Sequence, residues 1–135
     1  MGAPRPLTKK QVADLLAKGS SLRELDLRGS DLSGMCFDGS DLSDAKLAGC
    51  NLARSSFRNT VLRNASLWHA DCKDACFDGA ILEEADLDLT NLEGATFHKA
   101  RIRKAIFPNG RIALTEIESS VRTGRRVQMN RAALD

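Results

Sequence analysis

The chain contains no tyrosine, one tryptophan and five phenylalanines, so aromatics make up only 4% of its 135 residues. No apolar run approaches the 18 or so residues that a membrane-spanning helix requires. The opening residues, MGAPRPLTKKQ, carry no apolar core like that of a signal peptide, so the expected compartment is the cytoplasm. Histidine is nearly absent, with His69 and His98 alone, and no glycine-rich phosphate loop is present. Charge of one sign is lacking too: 20 basic residues stand against 18 acidic ones, a net +2. The length suits one domain and is short for two.

A strict period is present instead. From Leu27 to Phe107 every fifth residue is large and apolar, apart from one cysteine. The series runs Leu27, Leu32, Phe37, Leu42, Leu47, Leu52, Phe57, Leu62, Leu67, Cys72, Phe77, Leu82, Leu87, Leu92, Phe97, Ile102, Phe107. Two residues before each one sits a small residue in 15 of these 17 windows, Leu25 and Met35 being the exceptions. A helix of 3.6 residues per turn would scatter such a series around its surface, and a strand would alternate it between faces. Only a chain that bends once per window returns every large residue to a common interior.

The phenylalanines set the size of a turn. Phe37, Phe57, Phe77 and Phe97 are 20 residues apart, which is four windows. Four windows per turn give four stacked core columns. Phe37, Phe57, Phe77 and Phe97 form one, and Leu42, Leu62, Leu82 and Ile102 a second. Leu27, Leu47, Leu67 and Leu87, topped by Phe107, form a third, and Leu32, Leu52, Cys72 and Leu92 the fourth. The windows SDLSD, CNLAR, ADLDL and TNLEG resemble the A(D/N)LXX unit of the pentapeptide-repeat proteins, over about residues 25–107. That resemblance implies an all-β, right-handed quadrilateral parallel β-helix of about four coils. One departure stands out: the residue before the large one is Asp or Asn in only 7 of the 17 windows. The stretch Leu22 to Leu32 also fits one leucine-rich-repeat consensus, but the match is never regenerated downstream.

Three regions are expected: an N-terminal arm and capping helix (1–19), the repeat array (20–107), and a C-terminal cap or tail (108–135). Thr8 and Gln11 form a capping box for a helix over about 9–18, with Gly19 as its stop. Thr115 and Glu118 form a second box, predicting a helix over about 116–123 stopped by Gly124. Residues 125–135 read as a resumed half-coil, an extended tail or a second short helix. The whole C-terminal segment is expected to act as a cap, and it is the expected place for a homodimer contact.

No catalytic, metal or cofactor residue is expected. His69 and His98 project from different sides, each reading as a solvated histidine. Cys50 and Cys72 point inward, while Cys36 and Cys76 share an outer column two coils apart, about 10 Å and beyond disulfide reach. The candidate interaction surface comprises Trp68 and Leu89, which project outward, and the acidic band Asp74, Asp78, Glu83, Glu84, Asp86, Asp88 and Glu93. Val61, Ile81 and Ile106 are expected to add apolar area to it.

Residues 1–19 carry +3, 20–107 carry −3 and 108–135 carry +2. Stacking at 20 residues sets Arg63, Glu83 and Arg103 in one column and Asp38, Arg58 and Asp78 in another, so opposite charges become neighbours. The expected function is therefore a non-enzymatic protein-interaction or scaffold module with a protein partner. The resemblance implies an alternative, a DNA mimic that inhibits or protects a type II topoisomerase such as DNA gyrase. The near-neutral, banded charge disfavours it. A specific nucleic-acid partner is not expected, because the basic residues are banded and only one aromatic is exposed. An enzyme is the third class, disfavoured because a filled interior implies no pocket.

Overall fold

A computed structural model describes residues 5–129. Between the two terminal helices the chain is a single coil that returns on itself every 20 residues. Thirteen parallel bridges record this, from Asp26 with Lys46 to Asp86 with Ile106, and every one joins residues 20 apart. Each is an isolated bridge, and no longer strand forms among the described residues. The reason is arithmetic: each five-residue window gives two residues to a turn, which leaves too little extended backbone for a ladder.

The turn recurs in every window from Leu22 to Ile102. The N–H of the small residue donates to the carbonyl of the large residue three positions earlier, as in Ala65 to Leu62 at 3.1 Å and Ala80 to Phe77 at 3.0 Å. The residue between them, two after the large one, has positive φ in all 17 windows, while its predecessor does not. That is the type II turn pattern, which favours glycine at its third position. Six of these positions are glycine and eleven are not. Glycine is needed most at Gly94, where a Cβ would collide with the Asp74 carboxylate rising from the coil below.

The array starts one window earlier than the sequence pattern, at Leu22, which is fully buried. The expectation began at Leu27, although Ser20 and Leu22 already fit the small-and-large pattern. The four phenylalanines are buried and stacked, with ring centroids 5.0, 5.1 and 5.0 Å apart and planes within 8°. Phe107 differs: its backbone continues above Leu87, but its ring meets Phe97 edge-on at 5.8 Å. Most of the Ser, Thr and Cys side chains that enter the core find an acceptor, although the buried Ser30 hydroxyl has none. Ser55 Oγ, Thr60 Oγ1 and Cys50 Sγ each donate at 2.8 Å to the carbonyl of the large residue in the coil beneath: Leu32, Phe37 and Leu27.

The Asp and Asn residues before the large position have one local task. The N–H just after the large residue has no ladder partner. All seven Asp and Asn residues accept it, from Asp26 with Arg28 at 3.2 Å to Asn91 with Glu93 at 3.1 Å. Where Ser56 and Thr96 replace the acid, a carboxylate from the coil below does the same: Asp38 accepts from Arg58 N at 2.9 Å and Asp78 from His98 N at 3.0 Å.

Both ends are covered. Helix α1 (Lys9–Ala17) has the expected Thr8–Gln11 capping box and buries Val12 under the first coil. Helix α2 (Leu114–Thr123) starts two residues before the predicted 116, with Ala113 as N-cap and no side-chain cap. Thr115 therefore lies inside the first turn, where its hydroxyl cannot serve as an N-cap, so the second capping box does not form. Gly124 ends the helix with φ of 79°, as expected. The segment lies across the last coil and takes over its open hydrogen bonds. Ser120 Oγ accepts from Phe97 N at 2.9 Å, and Val121 O accepts from Lys99 N at 2.9 Å. Val127 both accepts from Gly94 N and donates to Ala95 O, at 2.8 Å each. Within 125–129, which form no helix, Val127 is the residue whose backbone pairs with the backbone of the coil. The expectations for 130–135 lie outside the described residues.

Candidate interaction surface

The 20-residue return gives four sides, each named here by one core residue. The Leu67 side carries 26–29, 46–49, 66–69, 86–89 and 106–109. The Cys72, Phe77 and Leu82 sides follow in chain order.

The structure does not bring the acidic band together. Its residues encircle the coil. Asp74 and Glu93 are on the Cys72 side, Asp78 on the Phe77 side, Glu83 and Glu84 on the Leu82 side, and Asp86 and Asp88 on the Leu67 side. Most are engaged within the chain. Asp78 faces Arg58 at 3.6 Å, Glu83 faces Arg63 at 2.8 Å, and Asp74 faces Arg126 at 3.4 Å. Glu93 accepts from the Met129 amide at 2.7 Å. Among the described residues, Asp86 and Asp88 have no basic side chain within ion-pair distance. Arg63 and Glu83 line a shallow cleft of about 250 Å³ with Glu84, Arg103 and Lys104. Among the described residues, no group of three or more His, Cys, Asp or Glu is placed to hold a metal ion.

Trp68 and Leu89 do share a side, with Asp86 and Asp88. Their exposures, 45% and 46%, are high for such large apolar side chains. Leu89 is also held at φ of 58°, a region that bulky residues seldom occupy. Ile106, 53% exposed, tops the same side. Val61 and Ile81 were expected to join them but do not. They bridge to each other on the Leu82 side and are half-buried. A count of 20 from Trp68 places them a quarter-turn or more away, so the correction was available from the period alone.

The two histidines part company. His69 is exposed, and its ring meets Trp68 edge-on at 5.3 Å. His98 was expected to be solvated. It is half-buried instead, because the C-terminal segment folds over it and Gly124 packs against its ring. The cysteines are reduced: Cys36 is exposed, Cys50 and Cys72 are buried, and Cys76 is half-buried. Burial pushes the Cys50 thiol up to about 11 and the Cys72 thiol further still.

Five carboxylates on the coil, Asp26, Asp31, Asp38, Asp41 and Glu83, are held acidic by their local contacts. Hydrogen bonds from the Arg28 side chain and amide bring Asp26 down to about 2. Ser33 lowers Asp31, Ser43 lowers Asp41, and Arg63 lowers Glu83. At Asp38 partial burial pushes upward, but bonds from Ser56 and the Arg58 amide outweigh it.

The pentapeptide-repeat family model matches this chain in eight copies, over residues 16–44, 40–77 and 70–108. The chain belongs to the pentapeptide-repeat family. Its fold is similar to that of a pentapeptide-repeat protein from Nostoc PCC 7120, at 32% identity and a TM-score of 0.66. The match covers 83% of this chain and 95% of the other. It is also similar to a pentapeptide-repeat protein from the thylakoid lumen of Arabidopsis thaliana, at 31% identity and a TM-score of 0.59. That match covers 61% of this chain and 57% of the Arabidopsis chain. No curated protein matches. Among the described residues, no helix of this pentapeptide-repeat chain is long and apolar enough to cross a membrane.

Proposed function

We propose that this pentapeptide-repeat chain is a non-enzymatic protein-interaction module, a rigid post of right-handed, four-sided coils working in the cytoplasm. The observation that carries the reading is the exposed Trp68–Leu89 pair on one side of the coil. An exposed tryptophan beside a leucine is a typical anchor for a protein partner. The core supports the reading as well. Its columns are filled by fully buried Leu and Phe side chains, so the repeat leaves its outer sides as the working surface.

Capture from an extract of the expressing cells tests it. The wild-type chain should retain a partner that a Trp68→Ser/Leu89→Ser double variant loses and an Arg58→Ala variant on another side keeps. Capture indifferent to the double variant would contradict the assignment.

The DNA-mimic alternative is weakened by the ion pairs that neutralise Asp74, Asp78 and Glu83 around the acidic coil. A duplex-like stripe needs continuous negative charge along one side. Gyrase supercoiling should therefore proceed unchanged with the protein present. Strong inhibition at stoichiometric levels would restore that alternative.

A further inference from the structure

We propose that the Leu67 side is a self-complementary surface that binds a second copy of this chain with the two coil axes antiparallel. The inference rests on the interaction-module reading and names the partner for that side.

The argument comes from what each coil places at each height. In the column before the core residue, the side presents Asp26, Lys46, Ser66, Asp86 and Ile106 from bottom to top. After the core residue come Arg28, Ala48, Trp68, Asp88 and Pro108. At the left-handed turn position come Gly29, Gly49, His69, Leu89 and Asn109. Trp68 and His69 therefore sit on the middle coil.

Two sides pressed together by a two-fold axis can meet in two ways. An axis along the coil axis keeps heights equal and exchanges the columns, bringing Asp86 towards Asp88 of the other copy. Like charges oppose that arrangement. An axis across the coil at the level of Trp68 keeps the columns and inverts the heights. Lys46 then faces Asp86, Trp68 faces Trp68, and Leu89 faces Gly49. Asp88 faces the small Ala48. The arrangement is isologous, as two-fold interfaces must be.

Three observations favour this pairing. Lys46 and Asp86 have no opposite charge within ion-pair distance among the described residues, whereas Asp26 is already paired with Arg28 at 2.7 Å. The largest side chain at the turn position, Leu89, is matched by a residue with no side chain, Gly49. The exposed large apolar residues of the coil among the described residues, Trp68, Leu89 and Ile106, all lie on the Leu67 side, and Leu114 of α2 is the other exposed one. One side of five coils is only about 20 Å tall at the strand spacing. The contact is smaller than a standard interface, so the dimer is weak and concentration-dependent.

Sedimentation of the purified full chain up to about 1 mM tests this, a range in which a weak dimer is populated. Trp68 is the sole tryptophan and tyrosine is absent, so its emission reports the interface directly. The wild type should dimerise, and its emission should shift to the blue as concentration rises. Lys46→Glu should weaken the dimer about tenfold or more, since by the two-fold symmetry it removes two ion pairs and adds two repulsions. The Lys46→Glu/Asp86→Lys double swap should restore it. Thermal midpoints of both variants, measured in the dilute monomer, check that the coil is intact. A wild-type chain that stays monomeric with unshifted emission overturns the proposal. So does a dimer indifferent to Lys46→Glu and to Trp68→Ser. Either outcome beside Trp68-dependent capture of another protein would leave the interaction-module reading standing, so the two can fail separately.

Discussion

Single side chains carry different weights in this chain, and the period decides which. Phe77 is fully buried and stacked between Phe57 and Phe97 at 5.1 and 5.0 Å. Phe77→Ala should lower stability by about 3–5 kcal/mol in a denaturant titration, through lost burial and the cavity left behind. The four cysteines sort by burial alone. Iodoacetamide on the native chain should label Cys36 first and Cys76 more slowly. Cys50 and Cys72 should be protected until unfolding, because burial disfavours their thiolates. Early labelling of Cys72 in peptide mass spectra would contradict the packed interior. The core residues were legible because one apolar residue recurs every five positions. The left-handed turn residues were only half legible. Gly29, Gly79 and Gly94 announce themselves, whereas Arg54, Leu89 and Lys104 adopt the same backbone with no local signal and are found only by counting.

At the level of the element, the two helices show how far a local motif reaches. The same S/T-x-x-E/Q spacing occurs at Thr8 and at Thr115, yet only the first caps a helix. Nothing within the four residues separates them. The difference lies in Ile112 and Ile117, both buried, which fix where the chain comes down onto the last coil and start α2 before Thr115. Thr8→Ala should therefore cost about 1 kcal/mol of stability, the usual loss of an N-cap, while Thr115→Ala should change little. Equal effects in thermal unfolding would mean that the second box forms after all. Of the three sequence alternatives for 125–135, a helix is absent over 125–129, where Val127 instead satisfies the open backbone groups of Gly94 and Ala95.

For the whole molecule, acid should act through the carboxylates that brace each coil. Asp26, Asp31, Asp41 and Glu83 all have lowered pKa values in the fold, so each favours the folded state when ionised. Their contribution is complete above the ordinary carboxylate range near 4 and is lost as pH falls towards about 2, the value for Asp26. The thermal midpoint should hold from neutrality to about pH 5 and fall below it. A midpoint unchanged to pH 2 would contradict the bracing role. The candidate surface was less legible than the fold. Trp68 and Leu89 could be paired from the 20-residue period, and the acidic residues of 74–93 span one full period and so form one ring, but Val61 and Ile81 were set on the wrong side.

The central claim is that residues 20 positions apart lie directly on one another. Nuclear Overhauser contacts among the phenylalanine rings of the folded chain test it most directly. Contacts should link Phe37 with Phe57, Phe57 with Phe77 and Phe77 with Phe97, and should be absent between Phe37 and Phe77, which lie two coils apart. Missing contacts between successive rings, or contacts that skip a coil, would contradict the account.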